Sequence, residues 1–173
     1  RMIAFADRPA GAGAASVGTE PLSLQQLQDP ENCKPCHAQH FREWQSSMHA
    51  YSGKDPVFIA MNERGQLETQ GELGDFCVRC HAPMAVELGL TTDGLKLPDL
   101  EDPNARGVTC YFCHDTAGVL DDHNQKLQLA GDRVMRGGLG GGQAIGGPPV
   151  ANPAHASAYS ELHDSQQAKS ASL

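Results

Sequence analysis

The chemistry of this 173-residue chain is concentrated in six cysteines and in the histidine that follows every second one. Cys33-Lys34-Pro35-Cys36-His37, Cys77-Val78-Arg79-Cys80-His81 and Cys110-Tyr111-Phe112-Cys113-His114 repeat one C-x-x-C-H pattern and use every cysteine in the sequence. That pentapeptide is the attachment sequence for a c-type haem. Residues three and four apart share a face on one helical turn, so both sulfurs and the imidazole can address one macrocycle. The sulfurs bond to the haem vinyl groups and the histidine supplies an axial ligand to iron. The expectation is three covalent haem c groups, held by Cys33, Cys36, Cys77, Cys80, Cys110 and Cys113, with His37, His81 and His114 as proximal ligands.

Other uses of paired cysteines fit less well. A zinc ribbon takes two C-x-x-C pairs, which would strand the third and leave the recurrent histidine without a reason. A thioredoxin-like dithiol needs one pair in a βαβ setting. Disulfides within each motif would close loops too short to restrain the chain.

Around these motifs the chain has little to bury. Only 39% of it is hydrophobic and 5% aromatic, so the macrocycles themselves are expected to supply the core. The fold class that follows is mainly α with extensive loops: short helices wrapped around a stack of covalent haems, with little or no β-sheet, and unable to fold once haem is removed. A net charge of -8 argues against nucleic acid, whose phosphates demand a basic face; it suits a redox partner protein presenting a basic patch. No apolar run approaches the ~20 residues that span a bilayer. Haem c is attached on the oxidising side of the membrane, so the location expected is periplasmic or extracellular, with a signal peptide cleaved ahead of Arg1.

Four regions are expected. Residues 1–28 form an extended N-terminal arm, 29–135 the trihaem domain, 136–151 a Gly/Pro-rich loop, and 152–173 a C-terminal helix. Asp29-Pro30 signals a helix start, with the helix carrying motif one and running toward His49 until Gly53 stops it. Asp55-Pro56 opens a second helix that Gly65 ends. The glycines of 137–149 lack the G-K-[ST] ending of a phosphate loop and suit a close pass over a haem or another subunit.

Five histidines remain for three distal positions: His40, His49, His123, His155 and His163. On a continuous helix His49 would lie ~18 Å and ~120° around from His37, so it cannot serve the same iron. His40 faces the same way as His37, whereas a distal ligand approaches from the opposite side of the ring, which leaves His40 as a surface or propionate-contacting residue. His155 and His163 lie ~12 Å apart on a helix and would reach different irons. Met48, Met84 and Met135 read as packing rather than ligands, since histidines are plentiful.

The run C-x-x-C-H-x6-W-x3-M-H-A through Trp44 and His49, the second motif, and Gly107-Val108 ahead of the third resemble the multihaem cytochromes c related to the tetrahaem carrier that serves hydroxylamine oxidoreductase. The resemblance covers about residues 30–125. It implies His49 as the distal ligand of haem three, on His114, and His123 as that of haem one, on His37; His155 or His163 is then left for haem two, on His81. Family tails similar to HASAYSELHDS run into a fourth C-x-x-C-H that is absent here. The leading expectation is an electron carrier with three haems, mostly bis-histidine, and no catalytic residues. One alternative is a subunit of a homo-oligomer, polymeric haem wire or larger redox complex. The other is an open haem two that binds or reduces a small nitrogen oxide, for which the C-x-x-C-K motif of the resembling nitrite reductases is missing.

Overall fold

The computed structural model describes residues 20–91, 102–121, 126–138 and 154–164. Helix α1 (Leu24–Gln28) opens on a capping box. Ser23 Oγ accepts the Gln26 amide at 3.2 Å while Gln26 Oε1 accepts that of Ser23 at 2.9 Å, satisfying two donors that a helix start leaves bare. The arm expected over 1–28 is therefore helical at its end, and residues 1–19 lie outside the described residues.

Asp29 does cap a 3-10 turn, Pro30–Asn32, yet no single helix runs on to His49. Motif one is one turn, closed by the His37 amide on Cys33 O at 2.8 Å. Helix α2 (Ala38–Gln45) follows and then a 3-10 turn, Met48–Ala50. The break has a local cause. The hydroxyls of Ser46 and Ser47 donate back to Glu43 O (3.0 Å) and Trp44 O (2.7 Å), offering the backbone an alternative to another helical turn.

Helix α3 (Pro56–Glu68), capped by Asp55, runs straight through Gly65. A Cβ at Gly65 would stand 2.6 Å from Leu73 Cδ2, so the glycine makes room for the returning chain instead of ending the helix. The reversal comes later, at Gln70 (φ 55) and Gly71 (φ 89), in the left-handed region where glycine costs least. Motif two then forms α4 (Val78–His81), followed directly by α5 (Pro83–Glu87). Motif three is α6 (Cys110–Asp115), whose N-cap Thr109 accepts the Phe112 amide at 3.3 Å.

The described residues are mainly helical with loops, and the little β-sheet present forms two small sheets. Strand β1 (Thr116–Val119) pairs antiparallel with β2 (Leu127–Leu129), and β3 (Val134–Gly137) pairs parallel with β4 (Ala156–Tyr159). The helix expected over 152–173 is corrected: Ala156–Tyr159 is strand and Glu161–His163 a 3-10 turn, while 165–173 lie outside the described residues. Alanine favours helix locally, but the ladder from Val134↔Ala156 to Gly137↔Tyr159 is a tertiary pairing that overrides that preference. Of the Gly/Pro-rich stretch only residues 136–138 are described.

Among the described residues the side chains form two modest cores, each beside a motif. Phe58, Val78, Ala82, Ala85 and Ala105 pack next to motif two. Leu27, Met84, Tyr111 and Phe112 pack next to motif three, with Met135 against them. Met84 is 1% exposed, placed for packing as its type suggested. Two clamps join the segments. Val108 O accepts Trp44 Nε1 at 2.8 Å and the Val108 amide donates to His49 O at 2.7 Å. A Cβ on Gly107 would overlap His49 O, and one on Gly53 would overlap Ala105 O. Gly53 thus serves close chain approach; it is not a helix stop. Among the described residues no helix is long and apolar enough to cross a membrane.

Candidate haem sites

Motifs one and three face each other. The neighbouring Cys110 thiol and burial push the Cys33 thiol pKa far up. Between the two motifs lies a cavity of about 500 Å³, within the range of pockets that enclose a cofactor. Cys33, Cys36 and His37 of motif one line it together with Cys110 and His114 of motif three. One turn has therefore brought both sulfurs and the imidazole of motif one to a single wall, as attachment to one macrocycle requires. Apolar walls come from Leu22, Leu27, Phe41 and Met135. Six cysteines with no disulfide among them and histidines on one apolar cavity fit haem c. Among the described residues no three His, Cys, Asp or Glu side chains converge as a metal cage would.

Backbone carbonyls orient two of the motif imidazoles. His114 Nδ1 lies 2.6 Å from Arg136 O, and His81 Nδ1 lies 3.1 Å from Ser52 O. A carbonyl only accepts, so Nδ1 carries the proton in each ring and Nε2 bears the lone pair. This is the arrangement by which proteins orient metal-bound histidine. Burial is the main influence lowering the pKa values of His37 and His114, and it keeps both rings neutral, as ligation demands.

The carbonyl that orients His114 is itself held by a network centred on one buried carboxylate. Asp115, fully buried, accepts the Gly131 amide at 2.8 Å, the Asp132 amide at 3.3 Å and Arg136 Nη1 at 3.5 Å. Asp132 takes the rest of the guanidinium, at 2.7 and 3.1 Å; that bond holds its carboxyl below the usual aspartate range. Tyr111 Oη donates to Asp132 O at 2.9 Å. The residue next to the motif histidine thus anchors the strand that aims it. Ser52 does the same for motif two: besides meeting His81 Nδ1 through its carbonyl, it donates its hydroxyl to His81 O at 2.6 Å. Phe58 lies against the His81 ring, centroids 4.1 Å apart and planes at 6°. Asp115, Arg136, Ser52 and Phe58 were not singled out in sequence, where nothing local marks a second-sphere partner 22 or 29 positions away from its histidine.

The remaining histidines fall as follows. His40 sits on α2 near His37, centroids 6.2 Å apart, with Nδ1 3.7 Å from Glu43 Oε2 and its side chain 79% exposed. His49 is exposed in its 3-10 turn, its carbonyl bonded to Val108 just ahead of motif three. His123 lies outside the described residues. His155 stands beside His37, centroids 6.4 Å apart, and His163 beside His114, at 5.9 Å. Sequence had offered that pair to His81, whose ring neighbour among the described residues is Phe58.

Residues 32–115 match the family model described as cytochrome c554 and c-prime. No curated protein and no solved structure matches the chain. The matched segment runs from the residue before Cys33 to the residue after His114, taking in all three motifs together with His49 and leaving out both sheets, His123, His155 and His163. The match supports a c-type cytochrome that binds haem c iron and serves electron transport.

Proposed function

We propose that the chain is a multihaem electron carrier with three covalent haems, one on each motif, the first and third set against each other across the shared cavity. The cavity that Cys33, Cys36 and His37 share with Cys110 and His114 carries this reading, because groups tethered at the two motifs would be held close to each other. Haem c, when bound, supplies a one-electron ferrous/ferric couple. The residues supply everything else. Cys33, Cys36, Cys77, Cys80, Cys110 and Cys113 tether; His37, His81 and His114 ligate; Ser52 and Arg136 hold the proton on Nδ1 through their carbonyls. Leu27, Phe41 and Met135 keep water from the cavity, which lowers the reorganisation accompanying each transfer.

An acidic chain suits redox partners with basic docking faces, and covalent haem attachment suits a periplasmic or extracellular site. The test is electron paramagnetic resonance of the oxidised protein. Magnetic coupling between two irons is expected and should vanish when Cys33 and Cys36 are replaced by alanine. Three uncoupled irons would oppose the arrangement.

A second reading concerns His81. Among the described residues Phe58, not an imidazole, is its ring neighbour, which favours an iron at motif two able to take a small ligand such as nitric oxide. Binding of nitric oxide or carbon monoxide by one haem in three supports it; inertness removes it.

A further inference from the structure

The segment beyond the family match brings two imidazoles to the two facing motifs. We infer that His155 and His163, carried on the β3–β4 ribbon and the 3-10 turn after it, are the second axial ligands opposite His37 and His114 respectively. This rests on the multihaem reading above and assigns two positions that the resemblance would give to His123 and His49.

The separations fit. With metal–nitrogen bonds of about 2.0 Å and about 1.1 Å more from nitrogen to ring centre, two imidazoles sharing one metal ion have centroids about 6 Å apart. The observed values are 6.4 Å for His37–His155 and 5.9 Å for His114–His163, with ring planes at 28° and 9°. His155 lines the same cavity as His37.

The ring nitrogens carry the case further. His155 Nδ1 lies 2.9 Å from Ala156 O, so Nδ1 holds the proton and Nε2 the lone pair. In His163 the roles are exchanged: Nε2 lies 2.6 Å from Cys113 O, while Nδ1 is buried with no hydrogen-bond partner. A buried acceptor left unsatisfied is costly and calls for an explanation. A metal bond from Nδ1 would provide one, and the carbonyl on the other nitrogen is the usual support of a metal-bound histidine. In this assignment His163 binds through Nδ1 and His155 through Nε2.

The ribbon is built to deliver both rings. Leu22 N donates to Ala154 O at 2.8 Å, fixing the chain one residue before His155. The parallel ladder then pairs β4 with β3, whose Arg136 carbonyl already orients His114. Ser160 N donates to Gly137 O at 3.0 Å, setting the turn that carries His163. His40 also lines the cavity, its centroid 6.2 Å from that of His37, but its side chain is 79% exposed and its Nδ1 turns to Glu43 Oε2 at 3.7 Å, which leaves His155 the better placed of the two.

The test uses the full mature protein. Haem is counted by intact mass and pyridine haemochrome, and spin state by magnetic circular dichroism. His155→Ala and His163→Ala should each convert one third of the haem from low to high spin, the double variant two thirds, with added imidazole restoring low spin. His155→Met and His163→Met should show a thioether-to-iron charge-transfer band. Unchanged spin in either alanine variant at full haem content overturns the assignment, whereas absence of haem from the wild type overturns the cytochrome reading itself. If the variants do not mature, diethyl pyrocarbonate treatment of the native wild type decides: His40 modified with His155 and His163 protected supports the assignment, and modification of either of the latter refutes it.

Discussion

Replacing Asp115 by alanine should weaken the fold and loosen the site together. Its carboxylate is fully buried and serves three donors: the amides of Gly131 and Asp132, and Arg136 Nη1. Arg136 keeps Asp132 as a partner, so the loss falls mainly on the two amides and on the desolvated edge of the guanidinium. Each buried donor deprived of its acceptor costs about 1–3 kcal/mol. Water reaching the half-buried Asp132 end should relieve part of this, leaving a net loss of about 3 kcal/mol, or roughly a hundredfold in the unfolding equilibrium. Asp115→Asn, which retains an oxygen for the shorter bond to Gly131, should lose about half as much. Guanidinium titration of the haem-loaded protein, followed by circular dichroism and Trp44 fluorescence, measures both. Because Arg136 O orients His114, resonance Raman of the alanine variant should also show a weakened iron–histidine bond at one haem. Stability of Asp115→Ala within about 0.5 kcal/mol of the wild type would refute this picture of the network.

Three further outcomes are expected. Gly107→Ala should cost about 2–4 kcal/mol, because its Cβ meets His49 O and must push apart the clamp on Val108; an unchanged melting temperature would count against that close approach. Asp132→Asn should flatten the acid limb of the stability curve. The folded carboxyl is held down by Arg136, so its contribution is present above the usual aspartate value of about 4 and lost as pH falls through the lower folded one; the effect should be small, since the Asp132 side chain is 41% exposed. Finally, chain prepared without haem should lack stable helix by far-ultraviolet circular dichroism, because the apolar clusters among the described residues are small. Cooperative thermal unfolding of such material would contradict that.

What sequence made legible was whatever depends on near neighbours. Two residues separate the cysteines of each motif and the histidine follows directly, so the turn that groups them could be foreseen, as could the caps at Asp29 and Asp55. Helix ends were read less well, because Gly65 and Gly53 looked like stops while the folded chain uses both for close approach. The β3–β4 ribbon was hidden for a different reason. Its strands are four residues each, small and without alternation, and they exist because residues 134–137 and 156–159 meet across the fold. The same non-local pairing brings His155 and His163 to motifs one and three, a placement that helical spacing alone could not supply. The carbonyls of Ser52 and Arg136 belong to this class too: any residue offers a carbonyl, so its use leaves no trace in residue type.

Covalent haem stoichiometry tests the central claim most directly. Intact mass of the mature protein, paired with its pyridine haemochrome spectrum, should show three haem c groups per chain and no titratable thiol. A mass equal to that of the bare polypeptide, or fewer than three haems with cysteines still reactive, would contradict the account.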